Sequence, residues 1–273
     1  MNEDRLCVKN INILKSKTRG EKIMILPSIR EKTILRPGDL SGGFSKCLIP
    51  KKDTDFFWGE VYKQLKEVLS SPLSKNIYSI DPDFGYFGYR FHPVNLKPNY
   101  FHIGIDIMGE KGESVFSTYE GIFEYSGFSN LNGNYVLLGH PEIKTQDGFV
   151  LYSVYMHLDR FFYSFRLFEK ILRVMGMRKI TDRKIEKFVV LGEVGATGNI
   201  KGFVPHLHFQ LEFRSEDGVI IAIDPARALG LDVKKNLTKS ISSVEDFKKY
   251  YQENKARLSK WAPLWNFEKG GNQ

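Results

Sequence analysis

Phe101-His102-Ile103-Gly104-Ile105-Asp106-Ile107 alternates, with Ile103, Ile105 and Ile107 on one face and His102, Gly104 and Asp106 on the other. Alternation built on β-branched residues predicts a half-buried strand. A helix would also bring positions i and i+4 together, but three isoleucines and Gly104 disfavour it. On a straight strand His102 and Asp106 stand ~13 Å apart. For both to serve one ion, the chain must curl or leave the strand near His102. Gly104 permits such a bend and leaves the polar side empty of side chain. The same period returns a hundred residues later. There His206, His208, Gln210 and Glu212 share one face, and Leu207, Phe209, Leu211 and Phe213 the other. His206 and His208 then point the same way, ~7 Å apart. Between the two lies Leu151-Tyr152-Ser153-Val154-Tyr155-Met156-His157-Leu158, whose alternation puts Tyr155 and His157 together. Three strands, each polar on one face, predict a groove floor on a β-sheet.

His102, His157, His206 and His208 are four of the six histidines of the chain. Imidazole nitrogen and carboxylate oxygen both suit zinc. Three protein ligands leave a fourth position for water, which marks catalysis rather than scaffolding. Taken singly, H-x-H and H-x-x-x-D are weak signals, because a strand histidine is usually hydrogen-bonded or exposed. Spacing alone leaves a zinc site and an unrelated set of strand histidines equally open.

Further motifs carry a resemblance. Phe84-Gly85-Tyr86-Phe87-Gly88-Tyr89-Arg90-Phe91-His92-Pro93 followed by His102-Ile-Gly-Ile-Asp106 resembles the opening of the lysostaphin-type (LytM-like) zinc endopeptidase domain. The likeness continues through Tyr155-Met156-His157, Gly192-Glu193-Val194-Gly195-Ala196-Thr197-Gly198, Pro205-His206-Leu207-His208-Phe209 and Asp224-Pro225. It spans about residues 81–230. The resemblance implies a mainly β, antiparallel core of the lysostaphin type (duplicated-hybrid-motif-like) with added helices. It implies one zinc ion held by His102, Asp106 and His208, with His157 and His206 as catalytic histidines. It also implies a metalloendopeptidase acting on peptidoglycan cross-links, at the cell envelope or outside the cell. Two departures stand out: the segment Asn199–Val204 is longer than the usual turn, and so is the connection from Arg160 to Lys187.

Amide hydrolysis needs a base for the attacking water, an acid for the leaving amine and stabilisation of the oxyanion. Histidine titrates in the range that proton transfer requires. Proton transfer is assigned to His206 and water orientation or oxyanion stabilisation to His157, two roles that the sequence leaves interchangeable. Tyr155 reads equally as an oxyanion donor or a packing residue. Arg90 and His92-Pro93 read as loop and groove wall, and His140 as a turn residue.

A chain of 273 residues with 42% hydrophobic content can bury a full core. The expected organisation is an N-terminal extension (1–80), the peptidase unit (81–230) and a helical tail (231–273). No run of 18 apolar residues indicates a membrane span, and Met1–Cys7 is polar, without a signal-peptide core. Cys7 and Cys47 could pair or remain thiols. In the extension, Lys22–Leu26 and Thr33–Leu35 read as strands. Asp53 reads as the cap of a helix from Thr54 to Leu69 striped by Phe57, Val61, Leu65 and Val68. In the tail, Ser242 and Glu245 form a capping box for a helix from Val244 to about Trp261.

The net charge of +8 concentrates between Phe161 and Val190, where eight lysines and arginines face three acids. With its apolar stripe, this insertion reads as an amphipathic helix ended by Gly176. It is either packed on the core or attracted to an anionic wall polymer or membrane surface. Nucleic acid is not an expected partner, since no recognised motif accompanies the charge. Two other functional classes remain: an inactive homologue that binds wall or activates a hydrolase, and a phosphoryl carrier of related β-fold. Asp106 favours zinc over the carrier, which needs no carboxylate ligand.

Overall fold

The computed structural model describes residues 23–26, 32–34, 47–50, 55–74, 79–92, 96–162, 184–231, 233 and 241–259. In chain order the strands are β1 (Met24–Leu26), β2 (Lys32–Ile34), β3 (Cys47–Pro50), β4 (Ser79–Ile80), β5 (Gly88–His92) and β6 (Lys97–His102). Next come β7 (Ile105–Met108), β8 (Ser114–Phe116), β9 (Gly121–Ser129), β10 (Gly133–Thr145) and β11 (Val150–Leu158). The last are β12 (Arg160–Phe161), β13 (Lys184–Ile185), β14 (Val190–Glu193), β15 (His206–Arg214) and β16 (Ile220–Ile223). The mainly β expectation holds.

The long strands form an antiparallel sheet in the order β9-β10-β11-β15-β16, and β7 shares the β16 edge of β15. Two pairings at its margins, β1 with β10 and β16 with β3, are parallel. A second layer, β12-β14-β8, covers one face. Between the layers lie Leu207, Phe209, Leu211 and Phe213 of β15, Leu191 of β14, Val115 of β8 and Ile105 and Ile107 of β7, all fully buried. The inward face of β15 is therefore the one its alternation assigns.

Helix Asp55–Val68 closes this core with Trp58, Val61 and Leu65, while Val68 packs at its edge. Its predicted cap, Asp53, lies outside the described residues. So do Cys7 and Trp261. The two expected N-terminal strands are found, at Met24–Leu26 and Lys32–Ile34, and β3 is an addition.

The C-terminal helix spans Val244–Glu253 and stops at Asn254, before a further turn at Lys255–Leu258. Its cap is Ser243, not Ser242: the Ser243 hydroxyl accepts from the Asp246 amide, and Ser242 instead donates to the Asp246 carboxylate. Phe247, Tyr251 and Leu258 pack against Phe84, Phe91, Ile200 and Phe203, and Tyr250 and Arg257 both reach Asp83.

Two further readings change. His140 is not in a turn. It is a fully buried residue within β10, bonded to the Glu120 carbonyl (2.8 Å) and the Ser153 hydroxyl (2.8 Å). The amphipathic helix read between Phe161 and Val190 lies, for residues 163–183, outside the described residues. Its two ends are strands rather than helix: Phe161 pairs with Gly192 and Lys184 with Ile122.

Candidate active site

β6 and β7 are separate strands, because the chain leaves the β5–β6 hairpin at His102 and joins β15 at Ile105. The bend anticipated from the ~13 Å problem therefore falls at Ile103-Gly104. It brings His102 Nε2 to 3.3 Å from Asp106 Oδ1. The break also separates the isoleucines: Ile105 and Ile107 enter the main core, while Ile103 packs with Phe101 and Ala222.

Register does the rest. Asp106 pairs with His208 across β7 and β15, and His208 pairs with Met156 across β15 and β11. His208 Nδ1 lies 2.9 Å from Asp106 Oδ1 and 3.0 Å from His102 Nε2. His206 Nε2 lies 3.8 Å from the same carboxylate oxygen.

His157 arrives by a different device. Met156 and His157 together fall opposite Tyr135, a bulge between the Val136–Tyr155 and Asn134–Leu158 pairs. His157 takes φ +63° there, a left-handed value uncommon for a side-chain-bearing residue. The extra residue carries the His157 ring into the site, 5.3 Å from the His206 ring and 5.9 Å from the His208 ring. The same bulge sends Tyr155 the other way, which corrects the shared face read for the two. Tyr155 is fully buried in the core, its hydroxyl among Thr118 and Ser153. It can reach no oxyanion.

Backbone carbonyls fix three of the rings. Nδ1–H of His102 donates to Tyr86 O (2.9 Å), that of His206 to Val204 O (2.9 Å) and that of His157 to Thr197 O (3.0 Å). Each leaves Nε2 as the atom with the lone pair. Burial disfavours the charged form of these imidazoles. It lowers His102 to about 4, helped by the Arg90 charge. It lowers His206 as well, and with the neighbouring His206 and His208 it holds His157 well below its usual value. Burial alone would raise Asp106, but the histidines around it hold the carboxyl well below the ordinary range.

All five residues line one cavity, together with Arg90, His92, Met156, Asn199 and Phe203. Arg90 and His92 stand on β5 and are buried, so they are wall residues as expected but strand rather than loop. Arg90 comes closer to the site than a wall position requires: its Nη2 is 3.5 Å from Asp106 Oδ2. An arginine within a strand otherwise made of aromatic and small residues was the available signal. The three orienting carbonyls carry no sequence signal at all.

Gly104 is required by His208. A Cβ at Gly104 would sit 2.6 Å from His208 Nε2 and 2.7 Å from the Phe209 carbonyl. Gly104→Ala is therefore expected to displace the His208 ring, and any metal affinity of the site should fall at least tenfold, as when a ligand's support is lost. Competition with a chromophoric chelator measures it, and unchanged affinity would mean that the ring has room to move.

Residues 100–221 match the model of Peptidase family M23. Over 121 residues the chain is 27% identical to a peptidoglycan DD-endopeptidase, ShyC, of Vibrio cholerae serotype O1; the match covers 44% of this chain and 22% of that protein. Among solved structures, the catalytic domain of lysostaphin from Staphylococcus simulans is similar at 25% identity and TM-score 0.38, over 56% of this chain and 92% of that one. A zinc-containing peptidase from Vibrio cholerae is similar at 22% identity and TM-score 0.41, over 61% and 40%. The resemblance to lysostaphin-type peptidases read from the motifs thus holds along the segment that carries the site.

Proposed function

We propose that this chain is a zinc-dependent endopeptidase that hydrolyses peptide cross-links of bacterial peptidoglycan, with one zinc held by His102, Asp106 and His208. The observation that carries the reading is the spacing of His102 Nε2, Asp106 Oδ1 and His208 Nδ1, which lie 2.9–3.3 Å from one another. With bonds of ~2.0–2.1 Å, one face of a tetrahedral zinc site has edges of ~3.3 Å. The donor chemistry fits too. A carboxylate and an imidazole lone pair fixed by Tyr86 O converge with a second imidazole nitrogen, a grouping that favours a cation at its centre.

When bound, zinc supplies Lewis acidity that polarises a peptide carbonyl and makes water a nucleophile near neutral pH. The chain's own residues supply the remaining roles. His206, its Nδ1–H committed to Val204 O, takes a proton at Nε2 from the attacking water and returns it to the leaving amine. His157, fixed by Thr197 O, holds the opposite side of the reacting group, orienting water or bonding the developing oxyanion. The groove-wall Phe203 and the buried Met156 restrict water around these groups.

The proposal extends the functional unit over residues 81–230 and places the protein at the cell envelope, where its substrate lies. Among the described residues no helix is long and apolar enough to cross a membrane. Digestion of purified peptidoglycan, with the products identified by mass spectrometry, tests the reading. Peptide-bond cleavage that stops on chelation and returns with zinc is expected. Intact walls under zinc-replete conditions would instead favour the inactive, wall-binding homologue.

A further inference from the structure

We propose that Arg90 anchors a carboxylate of the substrate, on the residue beside the cleaved peptide bond; this names the substrate chemistry of the endopeptidase reading and rests on it. Arg90 is 5% exposed. Its Nη2 faces Asp106 Oδ2 at 3.5 Å, too long for a hydrogen bond of normal strength. Its Nε and Nη1 are buried and have no hydrogen-bond partner among the described residues.

A buried guanidinium with unused N–H groups is costly, and an anion is the partner that best offsets it. Asp106 is an incomplete counter-ion. Its Oδ1 is already turned to His102, His206 and His208. The guanidinium lines the same cavity as those histidines and faces the proposed metal ligand Asp106, so a carboxylate held there would belong to a residue next to the reacting carbonyl. Asn199 lines this cavity too, and its Oδ1 is likewise buried without a partner among the described residues. It can accept the N–H that a peptide presents next to such a carboxylate. The cavity thus offers cationic donors and a neutral acceptor, a pattern that selects a cross-link carrying a free carboxylate beside the cleaved bond over an uncharged glycine bridge.

A purely structural Arg90, one that only orients Asp106, would not discriminate a ligand's acid from its amide. The test is calorimetric titration of zinc-loaded protein with N-acetyl-D-alanyl-D-alanine and with its C-terminal carboxamide. Wild-type protein is expected to bind the acid about 10-fold or more tightly than the amide, the scale of one charge-assisted bond. Arg90→Gln should bring the two within about threefold while zinc content is kept, and Arg90→Lys should fall between. An acid preference retained in Arg90→Gln, or absent from wild type, overturns the assignment. If Arg90→Gln does not fold, an undiminished preference in Arg90→Lys overturns it equally. Cleavage of cross-links in purified peptidoglycan is followed in parallel, and Arg90-dependent acid binding with intact cross-links would leave the carboxylate site standing and remove the endopeptidase reading.

Discussion

His208→Ala is expected to lose its zinc and all measurable hydrolysis together. The His208 ring is the hinge of the candidate metal site, with Nδ1 at 2.9 Å from Asp106 Oδ1 and 3.0 Å from His102 Nε2. Removing it leaves two donors, and the loss should exceed the ~10–100-fold that even an outer-sphere change costs in metal affinity. The fold should survive, because His208 stands on the groove face of β15 while Leu207 and Phe209 keep the core side filled. Atomic spectroscopy of the purified variant, with circular dichroism as a control for folding, measures the outcome. One equivalent of zinc in His208→Ala would sink the ligand assignment, and His102→Ala and Asp106→Ala should behave like His208→Ala.

A complementary pattern is expected for the other two histidines. His206→Ala should fold, keep its zinc and lose hydrolysis by about 10²–10³-fold, the usual scale of a proton-transfer or oxyanion contact. For His157 the replacement must respect the backbone. At φ +63° alanine is strained, whereas asparagine tolerates the left-handed region, so His157→Asn isolates the loss of the imidazole. It too should retain zinc and lose about 10²–10³-fold in kcat/KM. Near wild-type turnover in either variant removes that residue from the mechanism. Zinc lost from either would show that it ligates or supports the metal instead of acting on the substrate.

The rims of the sheet show why some local readings failed. The cap of the helix Val244–Glu253 shifted by one residue because two consecutive serines each offer a hydroxyl, and only the backbone angle at Ser243 decides which one receives the Asp246 amide. His140 read as a turn because Pro141 follows it. Pairing of Gly139 and His140 with Tyr152 and Leu151 overrides that signal and buries the ring under the sheet.

Period and residue type were enough for the central strands. β15 turns Leu207, Phe209, Leu211 and Phe213 to the core and His206 and His208 to the groove as its alternation dictates, since a buried face punishes a one-residue slip by reversing every side chain. The ~13 Å separation of positions i and i+4 on a strand, set against two ligand-type residues and a glycine, was enough to require the break at Ile103-Gly104. The motif order carried the likeness to lysostaphin-type peptidases.

Only the tertiary structure could divide Tyr155 from His157. Alternation puts them on one face, and it takes the unequal pairing of β10 with β11 to create the bulge that turns His157 into the site and Tyr155 into the core. Sequence alone also could not place the carbonyls of Tyr86, Thr197 and Val204 behind three rings, nor set Arg90 against Asp106. Each of these depends on where one strand meets another. Local sequence specifies the period within a strand, whereas register, bulges and backbone hydrogen-bond partners are fixed when distant segments pair.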